Sequence, residues 1–175
     1  MSYLKSSLIT LLMLLCATTV MADSFSFGGG EVRPHNSDDD WSLDKGYVVT
    51  LAFDKDIYDH KWLNFDMGIG YYHLEYEKSY RPNGRSSRAE KNKNVSNDYL
   101  DIHARTQLDV TKYVRPFFEL GLGTDCDETY YSGGGGLNFL VYKEWSMDVA
   151  YKEAETFDGD KLYRMGLVSV RYEWR

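Results

Sequence analysis

The sequence predicts an all-β fold, an eight-stranded antiparallel up-and-down transmembrane barrel. Apolar residues alternate with polar or small ones through segments of roughly ten residues, the length that a tilted membrane strand needs. The links between these segments are alternately longer and shorter, as expected when odd and even turns lie at opposite ends of a barrel. Beyond the N-terminal leader, no segment shows the period of a helix.

The segments follow one another at regular intervals. The fourth shows the alternation most clearly, with Leu100 and Ile102 on one face and Asp101 and His103 on the other. Because successive side chains of a strand point to opposite faces, each strand presents an apolar face and a polar, small or glycine-rich face. The predicted strands span residues 24–33, 46–54, 62–77, 98–110, 114–124, 134–142, 145–155 and 161–174.

The N-terminus predicts export. Residues 1–22 contain a single charge, Lys5, followed by a short apolar run, and Ala22 suits a signal peptidase, so we expect a cleaved signal peptide and a barrel domain over 23–175. A lipid-modified Cys16 is the disfavoured alternative, because Leu15 is not small. The whole chain carries a net charge of −7, and removal of the leader makes it more acidic, which argues against nucleic-acid binding. Cys126 is then the remaining cysteine, so no intramolecular disulfide is expected.

Aromatic residues are predicted to form two girdles, as at the two interfaces of a membrane barrel. One girdle lies beside the shorter links and the C-terminus, and comprises Trp62, Tyr113, Trp145 and Trp174. The other comprises Tyr71, Tyr72, Tyr99, Tyr151 and Tyr163. Alternation by itself also fits a soluble sandwich or lipocalin-like barrel, in which the apolar face would point inward.

Two stretches carry a resemblance to a known group. "VRPFFELGLGTD" and "GGGGLNFLVYKEWSMDVAYK" resemble the C-terminal half of the small OmpA/OmpX-like outer-membrane barrels of Gram-negative bacteria, over roughly the last 65 residues. The resemblance implies residence in the outer membrane and insertion by the barrel assembly machinery. It implies contact with outer-membrane lipid, lipopolysaccharide and a host or cell-surface ligand, without a cofactor. Fold does not dictate function, so the function expected is coarse: a non-enzymatic barrel with surface loops for binding or envelope structure.

The layout also resembles the lipid A deacylase barrels, which carry a His-x-Ser pair on a late strand. Lys152 and Ala154 stand at about those positions, and the chain contains no His-x-Ser sequence. A serine nucleophile activated by histidine is therefore not supported, and we expect no enzymatic activity. A lipid A-modifying hydrolase-like barrel and a small pore remain the alternatives.

Two sets of polar residues are the candidate sites. The first is an interior polar network expected to fill an eight-stranded lumen, where buried charges must pair. It comprises Asp66, Asp101, His103, Arg105, Glu119, Asp148, Lys152 and Arg171. The second is a basic surface loop suited to phosphates or an acidic partner. It comprises Lys78, Arg81, Arg85, Arg88, Lys91 and Lys93. The acidic runs "DDD" and "DGD" lack the spacing of a calcium loop, so no metal site is predicted.

Overall fold

A computed structural model describes residues 22–36, 41–80, 92–125, 127–159 and 161–174. Within these ranges the chain forms strands connected by turns, and no helix there has the length and apolarity needed to cross a membrane. The strands are β1 (Ser24–Asn36), β2 (Trp41–Leu43), β3 (Gly46–His60), β4 (Leu63–Tyr80), β5 (Asn92–Leu108), β6 (Val114–Thr124), β7 (Thr129–Tyr142), β8 (Trp145–Thr156) and β9 (Lys161–Glu173).

Eight of the described strands close into an antiparallel barrel, which confirms the predicted fold class. Sequential neighbours pair from β3 to β9, and β1 pairs with both β3 and β9. The remaining strand, β2, is a three-residue piece that pairs with the outer end of β4. The start of β1, the end of β9 and the short turns lie at one end, which is the periplasmic end in barrels of this kind.

The strands are staggered as a closed barrel requires. Following paired residues around the barrel from Ser24 leads through Asp54, His103 and Ser132, and returns to β1 at Pro34, ten residues further on. Residues far apart in sequence therefore share one level of the interior, and the stagger determines which side chains can meet across it.

The apolar faces of the strands point outward. Ile102 of β5, Leu122 of β6 and Val168 of β9 are half or more exposed, whereas Asp101, His103 and Arg105 are buried inside. The soluble alternative is therefore wrong, because it requires the apolar faces to form the core. An outward apolar band around a charged interior suits a barrel whose outer surface contacts lipid.

The strands extend further at the extracellular end than the sequence predicts. β4 continues to Tyr80 and β5 begins at Asn92, and their pairing runs on through Lys78 opposite Lys93. Similarly, β7 begins at Thr129 rather than at residue 134. These extensions are polar because no lipid contacts them, so they lack the apolar alternation that indicates a membrane strand.

The aromatic residues only partly follow the prediction. Trp62, Tyr113 and Trp145 are exposed at the periplasmic end, and Tyr71 and Tyr151 lie on the outer surface toward the other end. However, the prediction for three tyrosines of the second, extracellular girdle was wrong. Tyr72, Tyr99 and Tyr163 are all buried in the interior. Each occupies a strand position whose side chain points inward, and this overrides the preference of tyrosine for the membrane interface.

Candidate functional site

Eight ionisable side chains, seven of them buried and Glu119 partly buried, form a continuous line of alternating charge through the barrel interior, here called the charge chain. Its order is Arg105, Asp148, Arg171, Asp54, His103, Asp101, Lys152 and Glu119. They come from β3, β5, β6, β8 and β9. With an imidazolium at His103, the four cations and four anions cancel.

The periplasmic half of the charge chain is built on Asp148. Arg105 donates to both oxygens of this carboxylate, with Nη1–Oδ2 at 2.8 Å and Nη2–Oδ1 at 3.1 Å. Arg171 reaches the same carboxylate through Nε at 3.4 Å and Asp54 through Nη1 at 2.7 Å. Asn138 also donates to Asp148, at 2.6 Å. Bidentate and shared contacts of this kind hold charged groups in one geometry.

The extracellular half of the charge chain is built on Asp101. His103 contacts Asp54 through Nε2 at 2.6 Å and Asp101 through Nδ1 at 3.1 Å, so a carboxylate faces each ring nitrogen. An imidazolium, which donates from both nitrogens, satisfies this arrangement. Lys152 Nζ donates to Asp101 at 2.6 Å and to Glu119 at 2.8 Å.

The carboxylates and histidine around Lys152 also have the composition of a metal site. Oxygen and nitrogen atoms of Asp101, His103 and Glu119 lie within 4.8 Å of one another. The ammonium group of Lys152 contacts two of these carboxylates and so supplies the positive charge that a metal would bring. Lysine is therefore the resident cation of this cluster.

The charge chain contains seven of the residues assigned to the interior network from the sequence, together with Asp54. Asp66 is also buried, and its carboxyl lies within the electrostatic influence of Arg171 and Asp54. Asp54 was missed because the second predicted strand ended there, although β3 runs on to His60. Its parity with Thr50 and Ala52, both small and both buried, was the signal that places it inside.

A group of buried tyrosines, here called the tyrosine cluster, fills the interior on the extracellular side of the charge chain. Tyr72 and Tyr99 stack with their ring centroids 4.5 Å apart. Lys152 Nζ donates to the Tyr72 hydroxyl at 2.7 Å, which joins the cluster to the charge chain. The members are Tyr72, Tyr76, Tyr99, Tyr130 and Tyr163, packed with Val32, Val48, Leu74 and Met165.

A small cavity remains beside the charge chain. It has a volume of about 40 Å³ and is bordered by Thr50, Glu119, Lys152 and Ser169. This volume accommodates about three water molecules, since a single water needs roughly 10–15 Å³. Apart from this space for a few water molecules, charged groups and aromatic rings fill the described interior.

A hydrogen-bonded turn connects β6 to β7 at the extracellular end of the barrel. The carboxylate of Asp125 accepts the backbone amides of Asp127 and Glu128, at 3.0 and 2.8 Å, and the hydroxyl of Tyr130 at 2.7 Å. Burial acts to raise the pKa of Asp125, but these hydrogen bonds and the charge of Lys161 outweigh it and hold the pKa below its ordinary value. Lys161 itself donates to Glu128 at 2.6 Å.

Tyrosines on the outer surface mark the extracellular edge of the apolar band. Tyr71 donates to Asp98 at 2.8 Å, and Tyr151 donates to Glu153 at 2.6 Å. In the same manner Tyr47 pairs with Glu75, and Tyr131 pairs with Glu155. A phenol ring that contacts lipid while its hydroxyl reaches a charged partner is typical of a membrane interface.

Two of the residues assigned to the predicted basic loop lie at the extracellular ends of β4 and β5. Lys78 is on β4 opposite Lys93 on β5, so the hairpin brings these two backbone positions together at the base of the segment. Arg81, Arg85, Arg88 and Lys91 lie outside the described residues, as do Cys126 and the predicted signal peptide up to residue 21.

Comparisons with known proteins support the fold. No family model matches the chain, and no curated protein sequence matches it. Among solved structures, Neisserial surface protein A aligns with a TM-score of 0.55 at 13% identity, covering 86% of this chain and 96% of that one. Ail, the attachment invasion locus protein of Yersinia pestis, aligns at 0.50 and 13% identity, covering 88% and 99%.

A second structure of Ail, in complex with the heparin analogue sucrose octasulfate, aligns with a TM-score of 0.53 at 14% identity, covering 86% of this chain and 97% of that one. At these identities the likeness is one of fold alone. Together with the outward apolar band and the closed ring of strands, it shows that the chain has the fold of the small eight-stranded outer-membrane β-barrels.

Proposed function

We propose that the protein is a non-enzymatic outer-membrane barrel whose extracellular end binds an anionic ligand at the cell surface. The observation that carries this proposal is the contrast between the filled interior of the barrel and the long strands that project from its extracellular end. The charge chain and the tyrosine cluster fill the interior, whereas β4 and β5, of 18 and 17 residues, are far longer than a membrane crossing of about 10 residues requires. The excess length projects outward and carries basic residues.

The chemistry of this projection favours a sulfated or phosphorylated ligand. Lys78 and Lys93 stand opposite each other at the base of a segment that contains Arg81, Arg85, Arg88 and Lys91. Clustered arginines bind such oxyanions through two parallel hydrogen bonds each. The structure of Ail with sucrose octasulfate shows that one barrel of this fold accepts a sulfated ligand, which supports the proposal by analogy of fold.

Retention of heparin by the purified protein in nanodiscs tests the proposal. We expect Arg85→Gln/Arg88→Gln to weaken binding by about five-fold, because each exposed charge contact contributes roughly 0.5 kcal/mol. The matched control is Lys61→Gln/Lys112→Gln, which removes the same charge from exposed periplasmic turns. Equal binding by both double variants would refute a role for the basic loop.

The two alternatives make different predictions. A pore requires a water path past the charge chain, so stable nanosiemens steps from the purified protein in planar bilayers would favour it. A hydrolase requires an accessible nucleophile, but Lys152 and Ala154 are both buried in the interior rather than facing lipid. Release of fatty acid from lipid A by the pure protein, abolished by a single substitution, would restore the enzymatic alternative.

A further inference from the structure

Two arginines face each other on the outer surface where the first and last strands meet. Arg33 of β1 and Arg164 of β9 are directly paired residues, and their side chains are 62% and 53% exposed. Like charges directly opposite on neighbouring strands repel each other. An anion placed between the two guanidinium groups would turn this repulsion into attraction.

Carboxylates orient both arginines from the side. Arg33 donates through Nε to Glu31, and Arg164 donates through Nε to Glu153 at 3.2 Å. These ion pairs use the Nε atoms, so the terminal amino groups of each fork remain suited to a second acceptor. Lys45 lies 3.4 Å from Glu31, and it gives this group one more cation than anions.

A notch lies immediately on the membrane side of the arginines. Gly166 is paired with Tyr151 on one side and with Glu31 on the other, and it lies two residues further into the membrane than Arg164 on the same face of β9. A side chain built on Gly166 would meet no atom within 4 Å of its Cβ. The notch is part of a surface groove of about 660 Å³ lined by Glu31, Arg33, Pro34, His35, Tyr151, Arg164 and Gly166.

The groove lies where the apolar band ends. Below Gly166 on the same face of β9 come Val168 and Val170, which are about half exposed and belong to the outward apolar surface. The groove therefore borders the lipid-facing apolar surface on its membrane side, and its wall carries Arg33 and Arg164 against the single carboxylate of Glu31. This is the level where headgroups of the outer leaflet meet water.

We propose that this groove binds a lipid of the outer leaflet that carries a phosphate on its headgroup. The phosphate bridges Arg33 and Arg164, whose planar forks match phosphate oxygens in pairs. An acyl chain lies in the notch at Gly166, beside the ring of Tyr151 and above Val168. The assignment requires only the membrane orientation of the barrel, and it is independent of the ligand proposed for the basic loop.

Native mass spectrometry of the protein released from nanodiscs tests the site. The probes are bis-phosphorylated lipid A and the same lipid after removal of its phosphates. We expect the wild-type protein to retain the phosphorylated form and Arg33→Gln/Arg164→Gln to lose this preference by about tenfold, since charge-assisted bidentate contacts are the strong ones. The control Lys61→Gln/Lys112→Gln loses the same charge and should keep the full preference for the phosphorylated lipid.

A second variant tests the notch without changing charge. Gly166→Leu places a side chain in open space, so the barrel should fold normally while retention of the phosphorylated lipid falls. Equal retention of both lipid forms by the wild type, or undiminished retention by the arginine variant, would overturn the proposal. Displacement of the lipid by inorganic phosphate, with saturable binding of the free anion, would overturn the lipid assignment. Arg85→Gln/Arg88→Gln should leave lipid retention intact, which separates this result from that for the basic loop.

Discussion

Arg105 and Asp148 form a two-point ion pair across the barrel interior, with Nη1–Oδ2 at 2.8 Å and Nη2–Oδ1 at 3.1 Å. Arg105 is on β5 and Asp148 is on β8, with β6 and β7 between them in the wall. The pair therefore ties together strands that share no backbone hydrogen bonds. The guanidinium of Arg105 also lies over the ring of Phe117, 3.6 Å from its centroid.

Arg105→Met should destabilise the barrel strongly. The buried carboxylate of Asp148 then keeps two partners in the described structure, Arg171 at 3.4 Å and the side-chain amide of Asn138. Removal of one partner of a buried pair costs about 3 kcal/mol or more. Equilibrium unfolding by urea in lipid vesicles measures this loss in the free energy of unfolding.

The double variant Arg105→Met/Asp148→Leu is the control for this ion pair. It removes both charges, so its loss should be smaller than the sum of the two single losses. A loss below about 1 kcal/mol for Arg105→Met would mean that the pair behaves like an exposed one and that the interior is hydrated.

Substitution by alanine should lower the free energy of unfolding at Gly68 but not at Gly166. A Cβ at Gly68, which points inward, would collide with the Asp54 carboxylate and lie 2.6 Å from the Phe53 carbonyl oxygen and 2.7 Å from His103 Nε2. Overpacking of this kind costs about 1–3 kcal/mol. Gly166→Ala, on the outer surface, should leave the free energy of unfolding nearly unchanged. The same urea titration compares the two, and equal losses would mean that the space around Gly68 can relax.

The β6–β7 turn should loosen only in acid. The lowered pKa of Asp125 means that its ionised form stabilises the folded turn above the ordinary carboxyl pKa of 3.8, and that this contribution is lost as the pH falls through the lowered value. NMR titration of the side-chain carboxyl carbon should give a midpoint below 3.8. Asp125→Asn should abolish the acid-dependent change in the amide signals of Asp127 and Glu128. A midpoint at or above the ordinary value would contradict the hydrogen-bonded turn.

Strand parity predicts which side chains enter the barrel, but not which of them meet. Alternation placed Asp101, His103 and Lys152 on inward faces, and the structure buries all three. The contact of Lys152 with Asp101 depends on the ten-residue stagger around the barrel, which no single strand encodes. Which members of the charge chain pair with each other could therefore not be predicted from the sequence.

The tyrosines were misplaced because their preference for the membrane interface was given more weight than the alternation of inward and outward positions along the strand. Tyr72 shares the inward face of β4 with Gly68 and Gly70, and those glycines make room for large neighbours. Its inward position could have been predicted on that basis. The extracellular extension of β5 could not, because Asn94 and Ser96 lie outside the lipid, where nothing selects an apolar face.

Trp174→Ala should lower the amount of protein in the outer membrane more than Arg175→Ala does. The backbone amide of Trp174 donates to the Asp23 carbonyl at 2.9 Å, which joins the end of β9 to the start of β1 where the barrel closes. Its ring lies 6.0 Å from that of Tyr172, which in turn lies 4.8 Å from Trp145. The indole thus completes an aromatic group at the periplasmic interface, where tryptophan is favoured. Arg175→Ala removes one terminal charge, a change that typically costs little. Quantitative blots of outer-membrane fractions should show a sharp loss for the first variant and near wild-type levels for the second. Equal levels would mean that backbone pairing of β1 with β9 secures closure without the aromatic group.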